Sequence, residues 1–412
     1  MKLIPFLLAA SMLASPAIAT ELEVIHWWTS GGEAKSVDSL KSMFKKTGHT
    51  WKDSKIIGGG GANANKAIKQ RVSSGNAPGV VQLKSTSLPQ WGTLGALQDV
   101  DKAAANQGWD KILPKKVLES LKYNNKFVSA PVNVHRINWM WMSKKVLDKS
   151  GAKVPTSIPE LFSTLDKIKK AGFTPIAHGG QPWQDATLFE EILLGVGGAD
   201  LYNKVLVDLD SSAAKSPKML EVFKTLRKIS TYLPKDRKGL DWDKATKLII
   251  DNKAGMQFMG DWAKGEFMTK NLVPGKDFIC APAPGTDKAF IYTIDAFAFF
   301  KTKGDKAVAA QNKLAETIMT KEFQNEFNKR KGSIPVRTDM DMSGFDSCAK
   351  QSADTFRSSD KSNTLVPSFA HGNAQSSDVQ GPIVEIVSVF INSNMSPKEG
   401  VAKLADTLEE FE

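Results

Sequence analysis

A chain of 412 residues is about three times the commonest domain length, which predicts two lobes rather than one core. Hydrophobic residues at 41% and charged residues at 24% exclude a wholly disordered chain, and 31 Gly with 19 Pro exclude a collagen-like or low-complexity one. The net charge of +11 raises the question of a nucleic-acid partner, but the lysines fall as pairs such as Lys45-Lys46, Lys115-Lys116, Lys144-Lys145 and Lys169-Lys170 on amphipathic stretches. With no RNP, helix-turn-helix or zinc-finger pattern beside them, they read as solvated faces, and no nucleic acid is expected.

At the start of the chain, Lys2 precedes the apolar stretch Leu3 to Leu13, and Ala17-Ile18-Ala19 supplies an A-x-A cleavage pattern. Residues 1–19 therefore read as an export signal, with a mature chain beginning near Thr20. No later segment approaches the roughly 20 apolar residues of a membrane-spanning helix. No cysteine near the cleavage point offers a lipid attachment, so the expected compartment is the periplasm. The cysteines Cys280 and Cys348 both belong to the exported part, where they could form one disulfide or stay as two buried thiols. Sequence leaves both open.

Leu22 to His26 alternates as a short strand, and Ala34, Val37, Leu40 and Phe44 then recur at helical spacing until Gly48 stops the helix. A second helix is predicted from Asn63 to Ser73, followed by a buried strand at Val80 to Leu83. Later helices are predicted at Ile158 to Ala171, Leu188 to Gly195, Pro217 to Tyr232, Trp242 to Asn252, Asp305 to Met319 and Lys321 to Lys331, interleaved with strands at Gly255 to Met259 and Ile291 to Phe300. Strands alternating with helices predict α/β layers. In the absence of a long low-complexity linker, the lobes should be joined by short structured crossings, for which Ala130-Pro131-Val132-Asn133 and Tyr292-Thr293-Ile294-Asp295 are the candidates. The corresponding division is residues 20–131 with 296–342 in an N-terminal lobe, and 132–295 with 343–412 in a C-terminal lobe.

Catalytic and metal motifs are absent. The run Gly58-Gly59-Gly60-Gly61 lacks the G-K-[ST] ending of a phosphate-binding loop and reads as a flexible connection before a helix. Histidines 26, 49, 135, 178 and 371 show no ligand spacing, so neither metal nor other cofactor is expected. What does stand out is tryptophan beside polar residues just past predicted strands and at loop starts: Trp27-Trp28 before Thr29-Ser30-Gly31-Gly32-Glu33, Trp183 between Gln181-Pro182 and Gln184-Asp185, and Trp262 in Gly260-Asp261-Trp262. Residues past the carboxyl ends of strands line the ligand crevice of an open α/β sheet. Each tryptophan alone suits a core as well as a site; three clusters favour the site. A flat indole suits the C–H face of a pyranose, and the ring hydroxyls then need charged donors and acceptors around it.

The motifs Val24-Ile25-His26-Trp27-Trp28-Thr29-Ser30-Gly31-Gly32-Glu33, Pro131-Val132-Asn133-Val134-His135-Arg136, Gly179-Gly180-Gln181-Pro182-Trp183-Gln184, Gly260-Asp261-Trp262 and Lys331-Gly332-Ser333-Ile334-Pro335-Val336-Arg337 resemble those of the periplasmic sugar-binding proteins of ABC importers, most closely the glucose-binding branch. The resemblance spans essentially the whole mature chain. It implies a two-lobe periplasmic-binding-protein fold of α/β class, with a multi-strand hinge and a ligand cleft between the lobes. It further implies a monomer that binds glucose or a similar hexose and delivers it to the importer's membrane subunits without turnover. By matched position it assigns the sugar contacts to Trp27, Trp28, Glu33, Lys84, Trp262, Asp295, Lys331 and His371, with Trp183 and Gln184 as secondary candidates. Two other classes stay open: an exported carbohydrate hydrolase using two of Glu33, Asp185, Asp261 and Asp295 as acid and nucleophile, and an anion or polyamine binder of similar fold.

Overall fold

The computed structural model describes residues 20–412, so the export signal read over residues 1–19 lies outside the described residues. Along the chain the strands are β1 (Glu21–His26), β2 (Thr50–Lys55), β3 (Val80–Leu83), β4 (Lys122–Tyr123), β5 (Lys126–Phe127), β6 (Ser129–Arg136), β7 (Trp139–Ser143), β8 (Thr174–Ile176), β9 (Ala254–Phe258), β10 (Phe278–Pro282), β11 (Phe290–Phe299) and β12 (Leu365–Pro367). Two main sheets result. The first has the order β12-β11-β3-β1-β2 with β6 also laid against β11; the second has the order β10-β7-β9-β8; β4 and β5 form a small separate ribbon. The expected α/β class and two-lobe architecture are both present.

The first sheet is buried on both faces, and its sequence explains why. In β1 Val24 joins one apolar cluster and Ile25 the other, and in β3 and β11 Val80 and Val81, then Phe297 and Ala298, divide in the same way. Alternate side chains point to opposite faces of a strand, so two continuous apolar rows require a layer of helices on each side. The helix Gly31–Lys46 covers one of them with Val37, Leu40 and Phe44. The second lobe has its own core, formed by the apolar run of β7 and by helices such as Ile158–Lys170 and Pro217–Ser230.

The predicted helices mostly stand within a few residues of their expected ends. One differs greatly: the segment expected from Leu188 to Gly195 belongs to a 25-residue helix Pro182–Leu206, interrupted at Gly198 where φ is 79° and ψ 173°. Pro182 is tolerated because it occupies the first turn, where its missing N–H would have had no helical partner. The helix is buried on nearly all sides, so it shows no amphipathic stripe for a sequence reading to follow.

The segments read from sequence as crossings, residues 130–133 and 292–295, lie within β6 and β11. β6 and β11 pair antiparallel from Ser129 opposite Ala298 to Arg136 opposite Tyr292, so a division at 131/132 and 295/296 falls inside this ladder. The chain passes to the second sheet through Ile137 and Asn138 and returns between Pro282 and Phe290. Asn138 ties the two passages together: its Oδ1 accepts from the Ile291 N–H at 3.0 Å, and its Nδ2 donates to Thr286 Oγ1 at 2.9 Å and the Ala289 carbonyl at 3.1 Å. Cys280 and Cys348 are joined as a disulfide, the first of the two states left open by sequence. It fastens β10 to the helix Ser347–Lys361, whose Ala349, Ala353 and Phe356 pack into the first lobe's core.

Candidate functional site

Five parallel strand ends point at one place. β1 runs parallel to β2 and to β3, and β8 parallel to β9. Just past their carboxyl ends lie Trp27, Ile57, Lys84, Gln181 and Trp262, all lining one cavity of about 260 Å³ between the two sheets. Every principal contact residue named from sequence borders this cavity: Trp27, Trp28, Glu33, Lys84, Trp262, Asp295, Lys331 and His371, together with the secondary candidate Trp183.

Local structure fixes each of them. Glu33 sits in the first turn of helix Gly31–Lys46, where its Oε2 accepts from the Thr29 and Ser30 backbone N–H groups at 3.2 and 3.4 Å. The carboxylate that caps this helix therefore also borders the cavity. Its Oε1 accepts from Lys331 Nζ at 2.9 Å. Lys331, in the last turn of helix Lys321–Lys331, holds its ammonium between two indoles, 5.7 Å from the ring of Trp28 and 5.9 Å from that of Trp262. Asp295 lies at a register shift: it stands opposite Asn133 while Ala296 stands opposite Pro131, so Val132 of β6 is left without a partner. A bulge of this kind re-aims a side chain, and proline is accepted there because no ladder bond is lost.

Asp295 pairs with Lys84, and its Oδ2 lies 3.1 Å from His135 Nε2; His135 Nδ1 in turn meets Asp261, which accepts from the Arg136 N–H at 2.9 Å. Burial alone would push the Asp295 carboxyl up, but Lys84, His135 and Lys331 hold it well below the usual carboxylate range. It stays an acceptor. Glu33, Asp261 and Asp295 are thus each bound to a cation or an imidazole and present oxygens that accept hydrogen bonds. Asp185, the fourth carboxylate considered for hydrolysis, lies elsewhere: it is buried in the second lobe against His178 at 2.9 Å and Arg237 at 3.1 Å.

The aromatic walls come from both lobes. Trp27 presents a half-buried ring to the cavity, whereas Trp28 is only 1% exposed and packs on Phe297 and Phe327, reaching the cavity with little of its surface. Trp262 stands edge to face with His371 at 4.9 Å and with His135 at 5.1 Å, and Trp183 lies 6.5 Å from it. The glycine run is no loose connection. A Cβ on Gly61, whose φ is +106°, would meet the Trp27 ring at 3.1 Å, so bare backbone lies against that indole. Gly60 takes a similar place beside Trp183.

Gln184 is not part of the cavity. It lies fully buried, bonded to the Gly179 N–H, the Leu240 carbonyl and Gln181 Oε1, and it supports Gln181 instead of the ligand space. Residues not singled out from sequence also line the cavity, among them Trp242, His135, Thr293 and Asp241. The cluster Asp241-Trp242-Asp243 carries the same aromatic-beside-acid signal as the chosen tryptophans. A second, more apolar void of about 500 Å³ adjoins the first across Trp27, Lys84, Trp183 and His371. Among the described residues no cluster of His, Cys, Asp and Glu is arranged to hold a metal ion, and no helix is long and apolar enough to cross a membrane.

Residues 29–312 match the model of the bacterial extracellular solute-binding protein family. The chain is 44% identical over 403 residues to a "Probable sugar-binding periplasmic protein" of Rhizobium meliloti (strain 1021), with 97% of each chain covered. Among solved structures it resembles a "Chitin oligosaccharide binding protein" with a TM-score of 0.80 at 17% identity, covering 95% of this chain and 98% of that one. It also resembles the bacterial solute receptor AcbH, described as having an exclusive substrate preference for β-D-galactopyranose, with a TM-score of 0.79 at 18% identity over 95% and 98% of the two chains. These structural likenesses concern the fold. With the family model covering more than half of its length and a relative of 44% identity matched nearly end to end, the chain belongs to the bacterial extracellular solute-binding protein family.

Proposed function

We propose that the protein is a periplasmic receptor that binds a monosaccharide, glucose or a close hexose, and delivers it as a monomer to the membrane subunits of an ABC importer without turnover. The observation that carries this reading is the convergence of Trp27, Glu33, Lys84, Trp262, Asp295, Lys331 and His371 from both lobes on one small cavity. Its 260 Å³ lies just below the roughly 300–1,000 Å³ typical of drug-sized ligand sites, which suits a single sugar ring. Trp27 and Trp262 supply indole surface for the C–H faces, while Glu33 and Asp295 accept from hydroxyls and Lys84 and Lys331 donate to them. A hexose has about 12 heavy atoms, so at the ceiling of about 1.5 kcal/mol per atom the roughly 8 kcal/mol of a micromolar complex is within reach.

Binding rather than hydrolysis is favoured because Glu33 and Asp295 at the cavity are each paired with a lysine, and Asp295 is shifted away from general-acid chemistry. The adjoining void favours a second reading in which the ligand carries a substituent that passes between Trp27 and Trp183. Calorimetry with glucose, galactose, mannose, xylose and their disaccharides tests both. Micromolar or tighter binding of one hexose is expected; no binding below millimolar concentration overturns the proposal, and tighter binding of a disaccharide replaces the first reading by the second. Release of nitrophenol from nitrophenyl glycosides would favour the hydrolase.

A further inference from the structure

Glu190 belongs to helix Pro182–Leu206 and is fully buried, yet it lines no cavity. Its carboxylate gathers the turn that carries His371. Oε1 accepts from Ser368 Oγ at 2.7 Å, and Oε2 accepts from the backbone N–H groups of Phe369 at 2.8 Å and Ala370 at 3.3 Å and lies 2.8 Å from the Tyr202 hydroxyl. On its other side, Ser368 Oγ lies 2.9 Å from His371 Nδ1 and accepts from the His371 backbone N–H at 3.2 Å.

The hydrogen count decides the polarity of the ring. A serine hydroxyl has one hydrogen and two lone pairs, whereas a carboxylate only accepts, so the Ser368 hydrogen goes to Glu190. Toward His371 the serine then offers lone pairs alone, and Nδ1 must carry the imidazole proton. Burial favours the neutral form of His371, against the opposing pull of Glu190. Nε2 is left with a lone pair, and it is a buried nitrogen with no protein partner on a ring that borders the cavity.

We propose that Glu190 is a positioning residue that, through Ser368, fixes His371 as an acceptor at Nε2, so that the site requires a hydroxyl donor at that point of the ligand. This rests on the hexose reading for the identity of the ligand, but the proton's location does not. In Glu190→Gln the single amide oxygen is retained by the Phe369 and Ala370 N–H groups, and the amide NH₂ faces Ser368. Ser368 then accepts from Gln and donates to Nδ1, and the imidazole proton moves to Nε2. The site becomes a donor there with no change in its lining.

Two measurements test this. Imidazole ¹⁵N NMR of the ligand-free protein, with His371 assigned by the loss of its signals in His371→Gln, should give the Nδ1–H tautomer in the wild type and the Nε2–H tautomer in Glu190→Gln. Ser368→Ala, which removes the hydroxyl link but leaves Glu190 Oε1 3.6 Å from His371 Nδ1, should weaken the preference and serves if Glu190→Gln does not fold. Calorimetry with a set of monofluoro-deoxy hexoses should find one ring position at which fluorine weakens wild-type binding at least tenfold but Glu190→Gln binding less than threefold. Positions facing Glu33 or Asp295 should be penalised equally in both proteins. An Nε2–H tautomer in the wild type, or a penalty pattern unchanged by Glu190→Gln, overturns the proposal. Absence of hexose binding with Nδ1–H intact overturns the hexose reading and the ligand half of this one, leaving the assignment of the proton in place.

Discussion

Glu33 and Lys331, 298 residues apart in the chain, meet at 2.9 Å and join the start of one helix to the end of another at the wall of the cavity. Both are nearly buried, so each depends on the other for solvation. Lys331→Met should strand the carboxylate and cost about 3 kcal/mol of stability or more. Adding Glu33→Gln should recover much of that stability in thermal unfolding but none of the hexose affinity in calorimetry. Recovery of both would remove the pair from the site.

Adjacent tryptophans should answer differently to truncation. Trp27→Ala is expected to weaken hexose binding at least tenfold with little loss of stability, since its ring faces the cavity. Trp28→Ala empties a packed site between Phe297 and Phe327 and should cost about 3–5 kcal/mol in denaturant unfolding. The reverse pattern would exchange their roles.

Close approach of the lobes beside the cavity depends on two glycines. A Cβ on Gly32 would lie 2.7 Å from the backbone carbon of Gly265, and the Gly32 N–H donates to Glu266 Oε1 at 2.9 Å. Backbone cannot yield as a flexible side chain does. Gly32→Ala should therefore part the lobes here, lowering hexose affinity about tenfold and raising the radius of gyration seen by X-ray scattering with sugar present. Gly381→Ala, at the edge of the adjoining void with nothing within 4 Å of the added methyl, should leave the radius of gyration unchanged and is the control for lobe separation.

Glu191, next in sequence to Glu190, has neither carboxyl oxygen bonded, and burial together with the neighbouring Glu190 pushes its pKa well above the ordinary value. A folded-state pKa above the unfolded one means that the folded chain holds the extra proton. This group's favourable contribution is fully present below the unfolded carboxyl range near pH 4 and is lost as pH rises through the folded value. Glu191→Met should accordingly raise the melting temperature at pH 8 by more than at pH 4.5. An equal gain at both would show that packing, not the proton, is responsible.

The disulfide closes a loop of 68 residues, for which the chain-entropy estimate is about 4 kcal/mol. Cys280→Ser with Cys348→Ser should lower denaturant stability by an amount of this order. A loss below about 1 kcal/mol would mean that the helix Ser347–Lys361 is held by its packing alone.

The lobes and most of the cavity were legible because strand ends and aromatic clusters are local features: Trp27-Trp28 and Gly260-Asp261-Trp262 mark the carboxyl ends of β1 and β9. What neighbouring side chains do was less legible. Gln184 follows Trp183, but successive residues of a helix point about 100° apart, so Gln184 turns inward. Trp28 likewise turns into the core while Trp27 faces the cleft. β7 went unread because Trp-Met-Trp-Met is a continuous apolar run with no period to separate strand from helix. Thr293 was read only within an extended crossing and His135 only within the motif Pro131 to Arg136 and among histidines without ligand spacing, since their place at the cavity depends on the pairing of β6 with β11.

That pairing has a mechanical corollary. Asp295, Thr293 and His135 sit on the two strands that lead directly into the passages between the sheets, with Asn138 bolting those passages together two residues past the ladder. An occupant gripped by these side chains is fastened to the pivot itself. Under the proposed receptor function, its presence and the swing of one lobe against the other would then act as a single coordinate, with no relay of intervening residues needed to carry the message.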